Sequence, residues 1–193
     1  MKLFPDAHRV IACFRIEENF ISKDEEGRLI EEIEPHLKRL RYERDHWDGA
    51  IVGYREVERK QWSQENQQVM NRVRERCFAF DALHLPMVHC LDIAKEGEIK
   101  PHVDAVRFCG SIITGLSLMS TAVMRLALES DDSRWVKILL PQRSVYVMSG
   151  PSRYNFTHAI LADKESFFKE RHIPRERRIS VMFRIQPEGE NTT

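Results

Sequence analysis

Apolar residues in the first third of the chain recur at helical spacing. Ile30, Ile33, Leu37 and Leu40 share one face of a helix that Ser22 and Glu25 open as a capping box. Asp24, Glu25 and Glu26 suit its positive end, and Lys38, Arg39 and Arg41 lie near the other. Pro35 inside this pattern predicts a kink or a break. Ser63 opens a second helix with Val69, Met70, Val73 and Cys77 inward. Between the helices, 42-YERDHWDGAIVGYREVERKQW-62 carries the turn pair Asp48-Gly49 and predicts a short hairpin. Past residue 86 the period changes. MVHCLDIA (87–94), SIITGLSLM (111–119), AVMRLAL (122–128), WVKILL (135–140), SVYVMS (144–149) and RISVMFRI (178–185) are strand-length runs separated by turns. The pattern predicts a mainly β fold with N-terminal helices, a sandwich or barrel for which a jelly roll is the common intracellular enzyme form. A break near residue 81 would make residues 1–80 a helical extension packed on a core of residues 81–193, the two forming one unit.

Composition narrows the function. With 30 Lys+Arg against 30 Asp+Glu over 193 residues, no net charge advertises a polyanionic partner. Cys13, Cys77, Cys90 and Cys109 form no C-x-x-C pair, which predicts reduced thiols in an intracellular compartment and no structural zinc site. No apolar run approaches the ~20 residues of a membrane-spanning helix, and residues 1–18 lack the apolar region of a secretory signal, so a soluble protein is expected. Localisation is not legible in the composition.

The chemistry begins at 97-GEIKPHVDAVRFCG-110. Residues two apart in a strand point to the same side, so His102 and Asp104 project together near a strand end, where Pro101 is tolerated. Alone, a His-x-Asp pair is a surface pair or a turn more often than a metal site. A second histidine would complete a set of two His and one carboxylate that leaves coordination positions open on one side of an ion. His158 lies in 152-SRYNFTHAIL-161, an alternating run after four strand-like segments. Arg178 and Arg184, six apart, fall on one face of one strand, and an inward arginine is costly unless it meets an anion. Each has the fork that binds a carboxylate at two points.

His102-x-Asp104, then His158, then Arg178 and Arg184, in that order, resembles the AlkB-type iron(II)- and 2-oxoglutarate-dependent dioxygenases. YERDHWDGAI (42–51), IKPHVD (99–104), MRLAL (124–128), ESFF (165–168) and IPRERRIS (173–180) extend the likeness over all but the N-terminal dozen residues, toward a mitochondrial branch of the family. The resemblance implies a double-stranded β-helix with His102, Asp104 and His158 as iron ligands. It gives Arg178 to the distal carboxylate of 2-oxoglutarate and Tyr146, Ser180 and Arg184 to supporting contacts with it. It also implies residence in the mitochondrial matrix and a role in fatty-acid metabolism and in regulated necrosis after alkylation damage. The chain departs from the nucleic-acid-demethylating relatives at 91-LDI-93, where they carry Asn-x-Tyr. The candidate lid, residues 42–62, offers Tyr42, Trp47, Tyr54 and Trp62, but acidic residues interleave them. The basic run 169-KERHIPRERR-178 reads as a solvated loop that delivers Arg178. The expected substrate is a protein side chain or a small molecule. RNA or DNA N-demethylation is the alternative, and a non-catalytic metal-binding jelly-roll module is a third reading.

Overall fold

The structure is a computed structural model that describes residue 8, residues 12–44 and residues 49–187. Strand β1 (Phe14–Glu17) leads to helix α1 (Lys23–Leu37), strand β2 (Ile51–Arg59) and helix α2 (Gln64–Cys77). Then follow β3 (Val88–His102), β4 (Ile112–Leu118), β5 (Ala122–Leu128), β6 (Asp131–Leu140), β7 (Val145–Ser149), the short helix α3 (Gly150–Tyr154) and β8 (Phe156–Ile160). The small pair β9 (Phe167–Phe168) and β10 (Arg171–His172) precedes β11 (Arg178–Arg184). All six apolar runs past residue 86 are strands, and α3, β8 and the small pair add to them.

Nine strands form one antiparallel sheet in the order β1-β7-β4-β11-β3-β8-β5-β6, with β2 also on β3. The long strand β3 bends it into two layers. Residues 89–93 pair with β11, whereas Ile99 and His102 pair with β8 across a bulge. Gly53, at φ 64°, sits at the matching irregularity in β2, and a Cβ on Gly97 would fall 2.6 Å from the Gly53 carbonyl oxygen. The two backbones approach there as only glycine permits. The result is a nearly closed double-stranded β-helix.

Alternation sorts the side chains of the larger layer. Cys90, Leu116, Leu118, Val145, Val147, Ile179, Val181 and Phe183 pack outward under the two helices. Leu91, Ile93, Ile113, Tyr146 and Met148 turn inward and meet Met124, Leu126, Val136, Phe156 and Ile160. Helix α2 buries Val69, Met70, Val73 and Cys77 as its periodicity predicts. The capping box of α1 forms, with Glu25 N donating to Ser22 Oγ at 3.1 Å and Ser22 N donating to Glu25 Oε2 at 2.8 Å.

Three local expectations are corrected. Helix α1 runs through Pro35 to Leu37 without a break, because the missing N–H falls in the last turn and Lys38 N still bonds Glu34 O at 2.9 Å. Its inward set is Leu29, Ile33 and Leu37, while Leu40, beyond the helix, is exposed. Among the described residues of 42–62 the hairpin does not form as a pair of strands. Glu43 makes an isolated bridge to Tyr54, and β2 finds its long partner in β3. Asp48 of the expected turn, like Trp47, lies outside the described residues. Of the candidate lid, residues 51–59 are a strand of the sheet and Tyr54 is core.

Candidate active site

Strand pairing assembles the metal-binding set. Antiparallel β3 and β8 put His102 opposite His158, with ring centroids 4.2 Å apart. Strand β3 ends at His102, so Asp104 stands just past it in a loop rather than on the strand. Its carboxylate reaches both rings, Oδ1 lying 3.3 Å from His102 Nε2 and Oδ2 3.9 Å from His158 Nε2. Donors about 2.1 Å from an ion and at right angles lie about 3 Å apart, so these separations suit three facial ligands on one ion. Among the described residues, these three side chains form a group able to hold a metal, their donor atoms all within 4.8 Å of one another.

Protonation suits the same use. His102 Nδ1 lies 2.9 Å from the Lys100 carbonyl, which can only accept, so Nδ1 carries a proton and Nε2 is the atom turned to Asp104. Burial pushes His158 down to about 4, Asp104 acting in the opposite direction, so its ring is neutral at physiological pH. Burial works against ionisation of Asp104, but His158 and His102 beside it and Arg153 behind it hold its carboxyl well below the usual range. An imidazole neutral at His158 and a carboxylate ionised at Asp104 are forms that bind a cation.

A cavity of about 520 Å³ runs inward from these ligands, between Ile113, Met124 and Ile160, to Tyr146, Arg178 and Ser180. Arg178 is 1% exposed; Nη2 donates to Ser117 Oγ at 2.9 Å, and Nε has no protein partner. Burial lowers its affinity for the proton, with Tyr146 working the other way. A buried forked cation with an orphaned donor on the cavity wall fits an anion such as the carboxylate of 2-oxoglutarate. Tyr146 is buried beside it, stacked on Phe14 at 5.6 Å, and its hydroxyl meets Ser180. Gly115, the register partner of Tyr146 on β4, makes room for the phenol: a Cβ there would fall 2.6 Å from its oxygen. Arg184 also turns inward, but donates to Glu58 Oε1 at 3.2 Å. Every residue proposed from sequence thus lines one cavity.

Sequence reasoning missed several others. Glu56 and His89, 2.7 Å apart, line the same cavity from β2 and β3. Their signal was strand alternation in segments read as a lid and as ordinary core. Gly115 was signalled by a glycine inside an apolar strand run. Arg153, which holds the loop bearing Asp104, had no local signal. The basic run 169–178 is not a solvated loop throughout: Arg175 is buried, and Arg177 is pinned to Glu34 at 2.7 Å and to Asp92 at 2.8 Å.

The chain belongs to the 2OG-Fe(II) oxygenase superfamily, whose family model matches residues 15–184. Its class is therefore that of oxidoreductases using Fe(II) and 2-oxoglutarate. Among individual relatives, the mitochondrial alpha-ketoglutarate-dependent dioxygenase alkB homolog 7 of Mus musculus is 51% identical over 170 residues, 88% of this chain and 77% of the relative. The Bos taurus protein of the same name is 50% identical over the same shares. The fold is shared with the solved structure of OsALKBH1 at a TM-score of 0.65 and 14% identity, covering 89% of this chain and 97% of that one. It is shared too with a Pseudomonas putida prolyl-4-hydroxylase at 0.60 and 12%, covering 92% and 94%.

Proposed function

We propose that His102, Asp104 and His158 bind the iron, that Arg178 takes the distal carboxylate of 2-oxoglutarate, and that Tyr146, Ser180 and Arg184 complete its site. The observation that carries this reading is the continuity of one cavity from three convergent donors to a buried guanidinium with a free Nε. When bound, Fe(II) and 2-oxoglutarate would supply, with O2 as oxidant, decarboxylation to succinate and CO2 coupled to oxidation of a substrate C–H bond. The chain's own residues hold the two ends of that system apart. Arg178 fixes the far carboxylate, the Tyr146 hydroxyl beside it has a proton to donate, and Lys100 O sets the His102 tautomer.

The substrate is a protein side chain or a small molecule. In support, the residues of β2 that follow Tyr54 on its face are Glu56, which lines the cavity, and the exposed Glu58, and carboxylates there disfavour a phosphate chain. Arg175 and Arg177, the cations of the basic run best placed in sequence to follow phosphates, are committed inside the fold. Methylated RNA is the alternative substrate and belongs in the same assay. We also propose residence in mitochondria, after the named relatives, and, on the family resemblance alone, a role in fatty-acid metabolism and regulated necrosis.

The test is anaerobic titration of Fe(II) and 2-oxoglutarate, following the weak visible charge-transfer band, and then admission of O2. A band and succinate from the parent, both lost in His158→Ala, are expected. A His158→Ala variant that kept the band would overturn the ligand assignment, and turnover of methylated RNA would overturn the substrate reading.

A further inference from the structure

Of the three proposed ligands, two are fixed by sheet pairing and one is not. His102 and His158 sit opposite each other in the β3–β8 register, whereas Asp104 belongs to residues 103–111, a loop between β3 and β4. The outer residues of that loop contribute little packing: Ala105 and Arg107 are exposed, and Val106 and Phe108 are each 54% exposed. Apolar burial reaches only the far end of the loop, where Cys109 joins the core and Gly110 is buried, so the order of residues 104–108 needs another source.

Arg153 in α3, 1% exposed, is placed to supply it. Its Nη1 donates to the Asp104 carbonyl at 2.9 Å, Nε to the Gly110 carbonyl at 3.3 Å and Nη2 to the Cys109 carbonyl at 3.3 Å, with Cys109 Sγ also 3.3 Å from Nη2. One planar side chain therefore grips both ends of the loop. The helix bearing it is itself anchored, since Ser152 Oγ, one residue earlier, lies 2.9 Å from Cys13 O and 2.7 Å from Ser149 O. The acceptors on Arg153 are main-chain carbonyls, not a carboxylate, so the buried cation is satisfied by the loop backbone. A contact to the Asp104 carboxylate would compete with an ion for its oxygens. The contact seen holds the residue by its carbonyl and leaves both carboxylate oxygens to the site.

We propose that Arg153 is a positioning residue for the metal centre, clamping residues 104–110 so that the Asp104 carboxylate is set in place before the ion arrives. The proposal rests on the assignment of His102, Asp104 and His158 as ligands. Outer-shell partners of metal ligands typically contribute 10–100-fold in affinity, and the clamp belongs in that range.

The experiment titrates Co(II), a spectroscopic probe of the site, into the full metal-free chain and into Arg153→Met, Arg153→Lys and His158→Ala, well below each unfolding temperature. Arg153→Met is expected to bind Co(II) about 10–100-fold more weakly, with an altered visible spectrum, and Arg153→Lys to fall between it and the parent. A folded Arg153→Met with the parent's affinity and spectrum overturns the proposal. The His158→Ala arm separates the two readings. If it binds Co(II) like the parent, or the parent binds none, the ligand assignment fails and the clamp falls with it. If it alone loses binding, only the clamp is wrong. Should neither Arg153 variant fold, amide exchange in the metal-free parent decides. Phe108 N, bonded to Ala105 O at 3.0 Å, and Gly110 N, bonded to Ile185 O at 2.9 Å, are expected to be protected, and exchange at free-loop rates would overturn the clamp.

Discussion

Arg178 shows how a single residue can be placed for a ligand at the expense of the fold. Its guanidinium is buried, one nitrogen bonds Ser117, and Nε has no protein partner. Replacing a buried charge with an apolar side chain of similar volume is often neutral or stabilising by about 1–4 kcal/mol. Arg178→Met should therefore unfold no earlier than the parent in the absence of cofactors, while losing most of its affinity for 2-oxoglutarate. Arg178→Lys should keep the iron and weaken 2-oxoglutarate, because a point charge replaces a fork. Thermal unfolding paired with 2-oxoglutarate titration reads both effects. A destabilised Arg178→Met that still bound the co-substrate would remove the arginine from the site.

At the level of elements, strands β4 and β7 build the pocket together. Tyr146 on β7 is accommodated because its β4 neighbour lacks a side chain, and Phe14 on β1 stacks on the ring. Both strands would survive Gly115→Ala by propensity, yet the added methyl would collide with the phenol. Overpacking of a filled interior costs about 1–3 kcal/mol, and here the ring must give way toward the co-substrate. We expect Gly115→Ala to lower the unfolding temperature modestly and to raise the 2-oxoglutarate concentration needed for half-maximal succinate formation. A normal co-substrate requirement in a folded Gly115→Ala would show that Tyr146 does not touch it.

Across the whole molecule, the N-terminal helices are tied to the barrel by charge as well as by apolar packing. Asp92 on β3 is fully buried and accepts from Arg55 Nε at 2.7 Å, Arg177 Nη2 at 2.8 Å and the Tyr42 hydroxyl at 3.1 Å. Arg177 in turn reaches Glu34 of α1. The cluster joins α1, β2, β3 and the approach to β11, and β1 and β2 are themselves strands of the sheet. We propose that residues 1–80 and 81–193 unfold as one unit. Removing one partner from a buried ion cluster costs about 3–5 kcal/mol, so Asp92→Ala should melt in a single, earlier transition with its Fe(II) affinity intact at low temperature. Two separated transitions would mark the helical segment as an independent domain.

Local periodicity was enough to find six of the strands after residue 86, the capping of α1 and the inward face of α2, because alternation and helical repeat belong to adjacent residues. For the same reason His102-x-Asp104 and the Arg178–Arg184 pair were legible as chemistry, and the family resemblance rested on their order. Spacing could not say which of the seven other histidines joins the first two ligands, since His158 arrives by pairing between strands more than fifty residues apart in sequence. Nor could it show that residues 51–59 are a sheet strand, that Arg175 and Arg177 turn inward, or that Arg153 closes on the Asp104 loop. Those outcomes depend on which distant backbone supplies a partner for each buried polar group, and only the folded chain brings the partners together.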